Sequence, residues 1–159
     1  MTLLGVDLGE RRIGLAVGDV ASGIARPFGT VGRRDPSGDV VVLGTIVREH
    51  AIDGLVVGLP LHADGSEGEQ AARTRAWAET MATALGLPLT LQDERRTSLA
   101  AEARIGRPGR GRAGGPPSSG RLRGWRARID REAATAILQA ALDARTAMPG
   151  HGSPEGRSR

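Results

Sequence analysis

The sequence has no cysteine, no lysine, three histidines and only 2% aromatic residues, and each shortage closes off a class of function. Without cysteine there is no disulfide framework, no thiolate metal site and no thiol nucleophile, which fits a reducing compartment. His50, His62 and His151 lie too far apart for a local histidine metal motif. One phenylalanine and two tryptophans cannot build the aromatic platform on which many single-strand binders stack bases. No apolar run approaches the roughly 20 residues of a membrane helix, and the N-terminus shows no basic-then-apolar leader pattern. A cytoplasmic protein with no membrane partner is expected.

What remains is a 159-residue chain, 39% hydrophobic, of a size that forms one core. All 22 basic residues are arginine, and their placement says more than the net charge of +4. From Arg95 to Arg131 there are 11 arginines against Glu102 and Asp130, a balance of +9; the rest has 11 arginines against 16 acids, or −5. One strongly basic segment on a mildly acidic body is the electrostatic footprint of a polyanion binder.

The chain is organised around Leu3-Leu4-Gly5-Val6-Asp7-Leu8-Gly9, which reads as a strand turning through Glu10-Arg11-Arg12 into a second strand, Ile13 to Gly18. Leu4, Val6 and Leu8 share one face, so Leu3, Gly5 and Asp7 share the other, and a carboxylate interrupts an apolar strand. Burying it ionised and alone is costly, so a cation, a donor or water is expected at this strand end. Gly5, Gly9, Gly14, Ala16 and Gly18 leave backbone open to a phosphate or to another backbone.

A third strand around Gly23 to Val31 carries Pro27 and belongs at a sheet edge. Residues 36 to 51 favour a helix with Val40, Leu43, Val47 and Ala51 on its stripe, and Gly54 to Leu59 is the unbroken apolar run of a parallel strand covered on both faces. Ser66 and Glu69 stand at capping-box spacing before a helix whose stripe is Gln70, Thr74, Trp77, Met81, Ala84 and Leu85, closing at Gly86. Leu87, Leu89 and Leu91 alternate into a last strand ending in Asp93-Glu94, and a short helix from Thr97 to Arg104 follows. Residues 106 to 124 are rich in Gly, Pro, Ser and Arg and read as a mobile loop. A final helix is expected from about Ile129 to Thr146, then a disordered tail over 149–159. The order predicts a single domain over 1–148 of α/β class: a three-strand antiparallel meander plus two parallel strands, with flanking helices.

Three acids differ from the solvated ones. Asp7 ends the first strand, Glu94 ends the last, and Asp130 opens the final helix on the stripe of Ala134, Ile137, Leu138 and Ala141. If they converge, their repulsion calls for a cation, and oxygen-only donors suit Mg²⁺ or Mn²⁺. Two such ions about 4 Å apart activate a water and stabilise the leaving oxygen of a phosphodiester.

Four stretches in order, Gly5 to Gly9 with Ile13-Gly14, Val57 to Pro60 with Asp64 to Gly68, Asp93 to Ser98, and Ile129 to Ala134, together resemble the bacterial YqgF family. That family comprises pre-16S rRNA nucleases, also described as Holliday-junction-resolvase-like, with a ribonuclease H-like fold. The resemblance runs from about Leu3 to Ala144, and it implies that Asp7, Glu94 and Asp130 are the catalytic acids and hold the metal. It further implies hydrolysis of nucleic acid, pre-rRNA at the 5′ end of 16S rRNA or branched DNA, by a monomer or homodimer. Arg95, Arg96, Arg107, Arg110, Arg112, Arg121, Arg123, Arg126 and Arg128 are the expected contacts to phosphate. Arg96 stands where relatives usually have an apolar residue, and 106–124 is richer in Gly, Pro and Arg than usual. Two rivals stay open: Asp7 to Gly14 also resembles the first phosphate loop of the actin and sugar-kinase superfamily, whose site needs two domains where this chain has room for one. The other is a non-catalytic RNA-binding assembly factor.

Overall fold

A computed structural model describes residues 1–95, 106 and 115–147. The predicted helix at 97–104, most of the predicted loop, the tail, and Arg96, Arg107, Arg110 and Arg112 lie outside the described residues. Five strands, β1 (Thr2–Leu8), β2 (Arg12–Asp19), β3 (Ile24–Gly32), β4 (Gly54–Leu59) and β5 (Leu89–Asp93), form one sheet in the order β3-β2-β1-β4-β5. The first three are an antiparallel meander, and β4 and β5 run parallel to β1, as the strand and helix alternation predicts. β3 is an edge strand, as is β5, and its register shifts opposite Leu15 and Ala16 beside Pro27.

Alternation along β1 sorts the core into two layers. Leu4 and Val6, with Ile13, Leu15, Leu55 and Val57, face α1 (Pro36–Glu49) and α2 (Glu69–Leu85), from which Leu43, Ile46, Trp77 and Met81 pack down. Leu3, Ala16 and Val56 face a single long helix, α3 (Ser119–Ala147), through Ala134, Ile137, Leu138, Ala141 and Leu142. β4 is buried along its whole length between the layers. Within the first layer the buried carboxylate of Asp39 is satisfied by the Trp77 indole N–H at 3.0 Å and the Arg34 amide at 2.9 Å.

Several local expectations are corrected. α1 is capped by Asp35, whose side chain accepts from the Gly38 amide, and Ala51 lies beyond the helix in a left-handed conformation. Ser66 does not cap α2; its hydroxyl donates to Asp64 at 2.6 Å in a tight turn, and the cap position belongs to Gly68. Thr74, Trp77 and Met81 are buried as predicted, but Gln70 and Ala84 are exposed, and Ala71, Ala78 and Ala82 complete the buried stripe of α2 instead. Gly86 closes α2 in the left-handed region, φ 65°, as predicted for a C-terminal glycine.

The largest difference is in α3. It begins at Ser119, about three turns before Ile129, so residues 119–124 of the predicted loop are helical. The composition hides this, since Gly120 and Gly124 each cost about 1 kcal/mol in a helix, but Leu122, Trp125 and Ile129 keep helical spacing and are half-buried. The Trp125 indole donates to the carbonyl of Gly106 at 2.7 Å. Further along, the Gln139 amide donates to the Gly23 carbonyl at 2.8 Å and accepts from the Ala25 amide at 3.0 Å, tying α3 to the β2–β3 hairpin.

Candidate active site

The open backbone in β1 and β2 serves a second backbone. A Cβ on Gly14 would lie 2.1 Å from the carbonyl oxygen of Asp130, so only glycine lets α3 sit this low on the sheet. Gly14 is the cross-strand partner of Asp7. On the other side of β1, a Cβ on Gly58 of β4 would lie 2.6 Å from Glu94 Oε2 and 2.4 Å from Ile137 Cδ1. Asp130 is thus carried over β2, Asp7 stands on β1, and Glu94 reaches over β4. The three acids predicted from sequence form a row across three adjacent strands, on the α3 face, at the carboxyl ends of β1 and β4. Neighbouring strands are about 4.8 Å apart, close enough for each carboxylate to feel the next.

The electrostatics follow. Burial pushes the Asp7 carboxyl up from 3.8 to about 6, and the charge of Asp130 adds to the effect. Glu94 is pushed up from 4.5 to about 7 by burial first, then by the charges of Asp7 and Asp93. Asp7 has no ion-pair partner among the described residues. Asp130 has one: its Oδ2 accepts from Arg12 Nε at 2.7 Å. It sits well inside α3 and not at its start as predicted, so the helix N-terminus does not stabilise its charge. Among the described residues, no three acids or histidines are gathered into a ready metal cage, and the third carboxylate is engaged by Arg12.

A polar cleft of about 500 Å³ opens beside Asp130, lined by Gly9, Glu10, Arg11, Arg12 and Arg126. Arg123 and Arg126 share the helix face of Asp130 by their spacing, so a cationic track runs along α3 toward the acids. Arg121, Arg123, Arg126 and Arg128 are all exposed. Arg95 is not in this cleft: its Nε donates to Asp93 at 2.7 Å and its backbone amide to the same carboxylate at 3.0 Å. Arg11 and Arg12 were not among the predicted phosphate contacts. Their one sequence signal is a pair of adjacent arginines after Gly9-Glu10, where the first strand passes into the second.

Residues 1–144 match the family model RuvX, described as "Holliday junction resolvase". The chain belongs to the RuvX family. It is 44% identical over 147 residues to the "Putative pre-16S rRNA nuclease" of Anaeromyxobacter sp. (strain Fw109-5), a match covering 92% of this chain and 100% of that one. Among solved structures, its fold is similar to the fowlpox virus resolvase in complex with substrate Holliday junction DNA, with TM-score 0.53 and 9% identity, covering 91% and 99% of the two chains. It is likewise similar to T. thermophilus RuvC in complex with a Holliday junction substrate, with TM-score 0.51 and 16% identity, covering 92% and 96%. The RuvX chain thus carries the expected ribonuclease H-like mixed sheet with flanking helices. No helix among its described residues is long and apolar enough to cross a membrane.

Proposed function

We propose that this RuvX chain is a metal-dependent nuclease that hydrolyses phosphodiester bonds, acting in the cytoplasm on the 5′ end of pre-16S rRNA. The observation that carries the reading is the row of Asp130, Asp7 and Glu94 across β2, β1 and β4, with the protons of two of them held far above the usual carboxylate range. Carboxyl groups that are buried beside one another's charge, and offer only oxygen, fit a hard divalent ion such as Mg²⁺ or Mn²⁺. Asp7, Glu94 and Asp130 are the proposed ligands. Bound there, a divalent ion supplies positive charge against the negative charge building on the phosphate and makes water more acidic.

The chain's own residues do the rest. β1 fixes Asp7 by its ladder on both sides, and the seat of α3 on Gly14 fixes the backbone of Asp130. Arg11, Arg123 and Arg126 lead the nucleic-acid backbone to the acids by contacting phosphates, which positions a substrate without reading its sequence. Arg95, Arg121 and Arg128 add exposed cationic charge, and Arg96, Arg107, Arg110 and Arg112, which lie outside the described residues, are proposed as further phosphate contacts. The names of the curated relatives favour pre-rRNA, while the family description favours branched DNA as the second reading. The discriminating experiment incubates purified protein with Mg²⁺ or Mn²⁺ and either a 5′-extended 16S precursor or a four-way DNA junction. Precursor cleavage that Asp7→Asn abolishes is expected; junction cleavage alone supports the second reading, and cleavage of neither by wild type refutes both. Sequencing of precursor rRNA ends after depletion tests the same role in cells.

A further inference from the structure

We propose that Arg12 is a positioning residue that exchanges partners: it holds Asp130 in the free protein and gives it up to the metal site when a nucleic-acid phosphate enters the cleft and takes the guanidinium. The inference rests on the metal-dependent reading above. Its starting point is the 2.7 Å bond from Arg12 Nε to Asp130 Oδ2, which joins the first residue of β2 to α3 across 118 positions of sequence. Both side chains are partly open to solvent, 30% and 21%, and both line the same cleft. Neither end of the pair is locked in place by burial.

The backbones on both sides are fixed while the side chains are not. Arg12 is held by the Gly9 amide donating to its carbonyl at 2.9 Å, and Asp130 by the packing of its own carbonyl on Gly14. A change of partner therefore needs only side-chain rotation. Arg12 uses a single N–H on Asp130, and a guanidinium carries five, in a fork that matches a phosphate. Arg11 and Arg126, in the same cleft, make it cationic before any carboxylate leaves.

Charge balance makes the two events favour each other. Asp130 cannot serve a cation fully while Arg12 neutralises it, and Arg12 released into the cleft is free to pair with another anion. Metal binding thus frees the guanidinium for phosphate, and phosphate binding frees the carboxylate for metal. By linkage each ligand raises the affinity for the other by the same factor. The pair keeps the third ligand engaged and neutralised until substrate arrives, which couples completion of the site to occupancy of the cleft.

The test is calorimetric titration of Mn²⁺ into the full chain without nucleic acid, beside salt-dependent binding of a single-stranded oligonucleotide in EDTA. Arg12→Gln should bind Mn²⁺ about fivefold more tightly than wild type, the factor expected when a partly exposed competing ion pair of about 1 kcal/mol is removed, and should bind the oligonucleotide more weakly. Arg11→Gln removes the same charge from the same cleft without touching Asp130. It should weaken the oligonucleotide likewise and leave Mn²⁺ affinity within about twofold of wild type. Arg12→Lys keeps the charge and loses the fork, so it should fall between wild type and Arg12→Gln on Mn²⁺, and it carries the test if the glutamine variant does not fold. Unchanged or weaker Mn²⁺ binding in both Arg12 variants overturns the exchange, as does an equal gain in Arg11→Gln. Wild type that binds no Mn²⁺ overturns the metal reading itself, a separate and distinguishable failure.

Discussion

Replacing Asp7 by asparagine should stabilise the metal-free protein, and only above the pH at which the carboxyl ionises in the unfolded chain. In the folded chain the Asp7 carboxyl holds its proton up to about pH 6, against 3.8 ordinarily, because ionising it means charging a buried group beside Asp130. Below pH 3.8 the group is protonated folded or unfolded, so it contributes no difference. Between 3.8 and about 6 the unfolded chain releases the proton and the folded chain retains it. Stability therefore falls with rising pH through this window and the deficit is complete above it. The interval corresponds to about 3 kcal/mol. An asparagine amide recovers most of this, and about 2 kcal/mol at pH 8 is expected once its own desolvation is allowed for. For a domain of this size that is a rise in Tm of about 4–8 °C. The assay is thermal and urea unfolding of wild type and Asp7→Asn in EDTA from about pH 3.5 to 8, a range that brackets both ends of the titration. The gain should be near zero at the acid end, grow to about pH 6 and then level. Because Asp7 is one cause of the elevated Glu94 carboxyl, the Glu94 pKa should also drop in the variant, which carbon-detected NMR reads directly. A gain independent of pH, or a loss at the alkaline end, would show that these acids are not held together against their own charge.

Gly14→Ala should lower stability by about 2–3 kcal/mol, since the new methyl meets the Asp130 carbonyl backbone at 2.1 Å. The α3 displacement it forces should also slow cleavage by about 100-fold, the order expected for an ångström-scale misplacement; urea denaturation and single-turnover cleavage measure the two. Trp77→Phe should cost about 1–3 kcal/mol in urea unfolding, because it removes one of two donors from the buried Asp39 carboxylate. Single alanine replacements of Arg123 and Arg126 should weaken oligonucleotide binding and flatten its salt dependence by roughly 0.7 in log–log slope for each phosphate no longer neutralised. Cleavage at saturating substrate should change less than binding, and the reverse pattern would count against a backbone-guiding role.

Much of this site was legible because strand alternation is a strict rule. Asp7 falls on the opposite face from Leu4 and Val6 whatever the rest of the chain does, and that face is the one α3 covers. The buried stripe of α3 from Ala134 onward was equally readable, since Ile137, Leu138 and Ala141 face a sheet. The beginning of α3 was not. Its first turns have little core to cover, so glycine and arginine content outweighed the sparser spacing of Leu122, Trp125 and Ile129. Ser66 was misplaced for a different reason: Asp64 is a closer acceptor for its hydroxyl than the helix start is a donor. The Arg12–Asp130 pair lies beyond any local pattern, because only the seating of α3 on β2 brings the two residues together.

Gln139 has a consequence that reaches beyond its own hydrogen bonds. A helix is a stiff ruler, and the nine positions from Asp130 to Gln139 span about 14 Å along the axis. A slip of one residue where α3 meets the hairpin would advance the far carboxylate by about 1.5 Å and swing it by about 100°. With both ends of its amide engaged on Gly23 and Ala25, Gln139 acts as an indexing pin that sets the phase of the whole rod. The phase of α3 at Asp130 is therefore set about 14 Å away, at the β2–β3 hairpin.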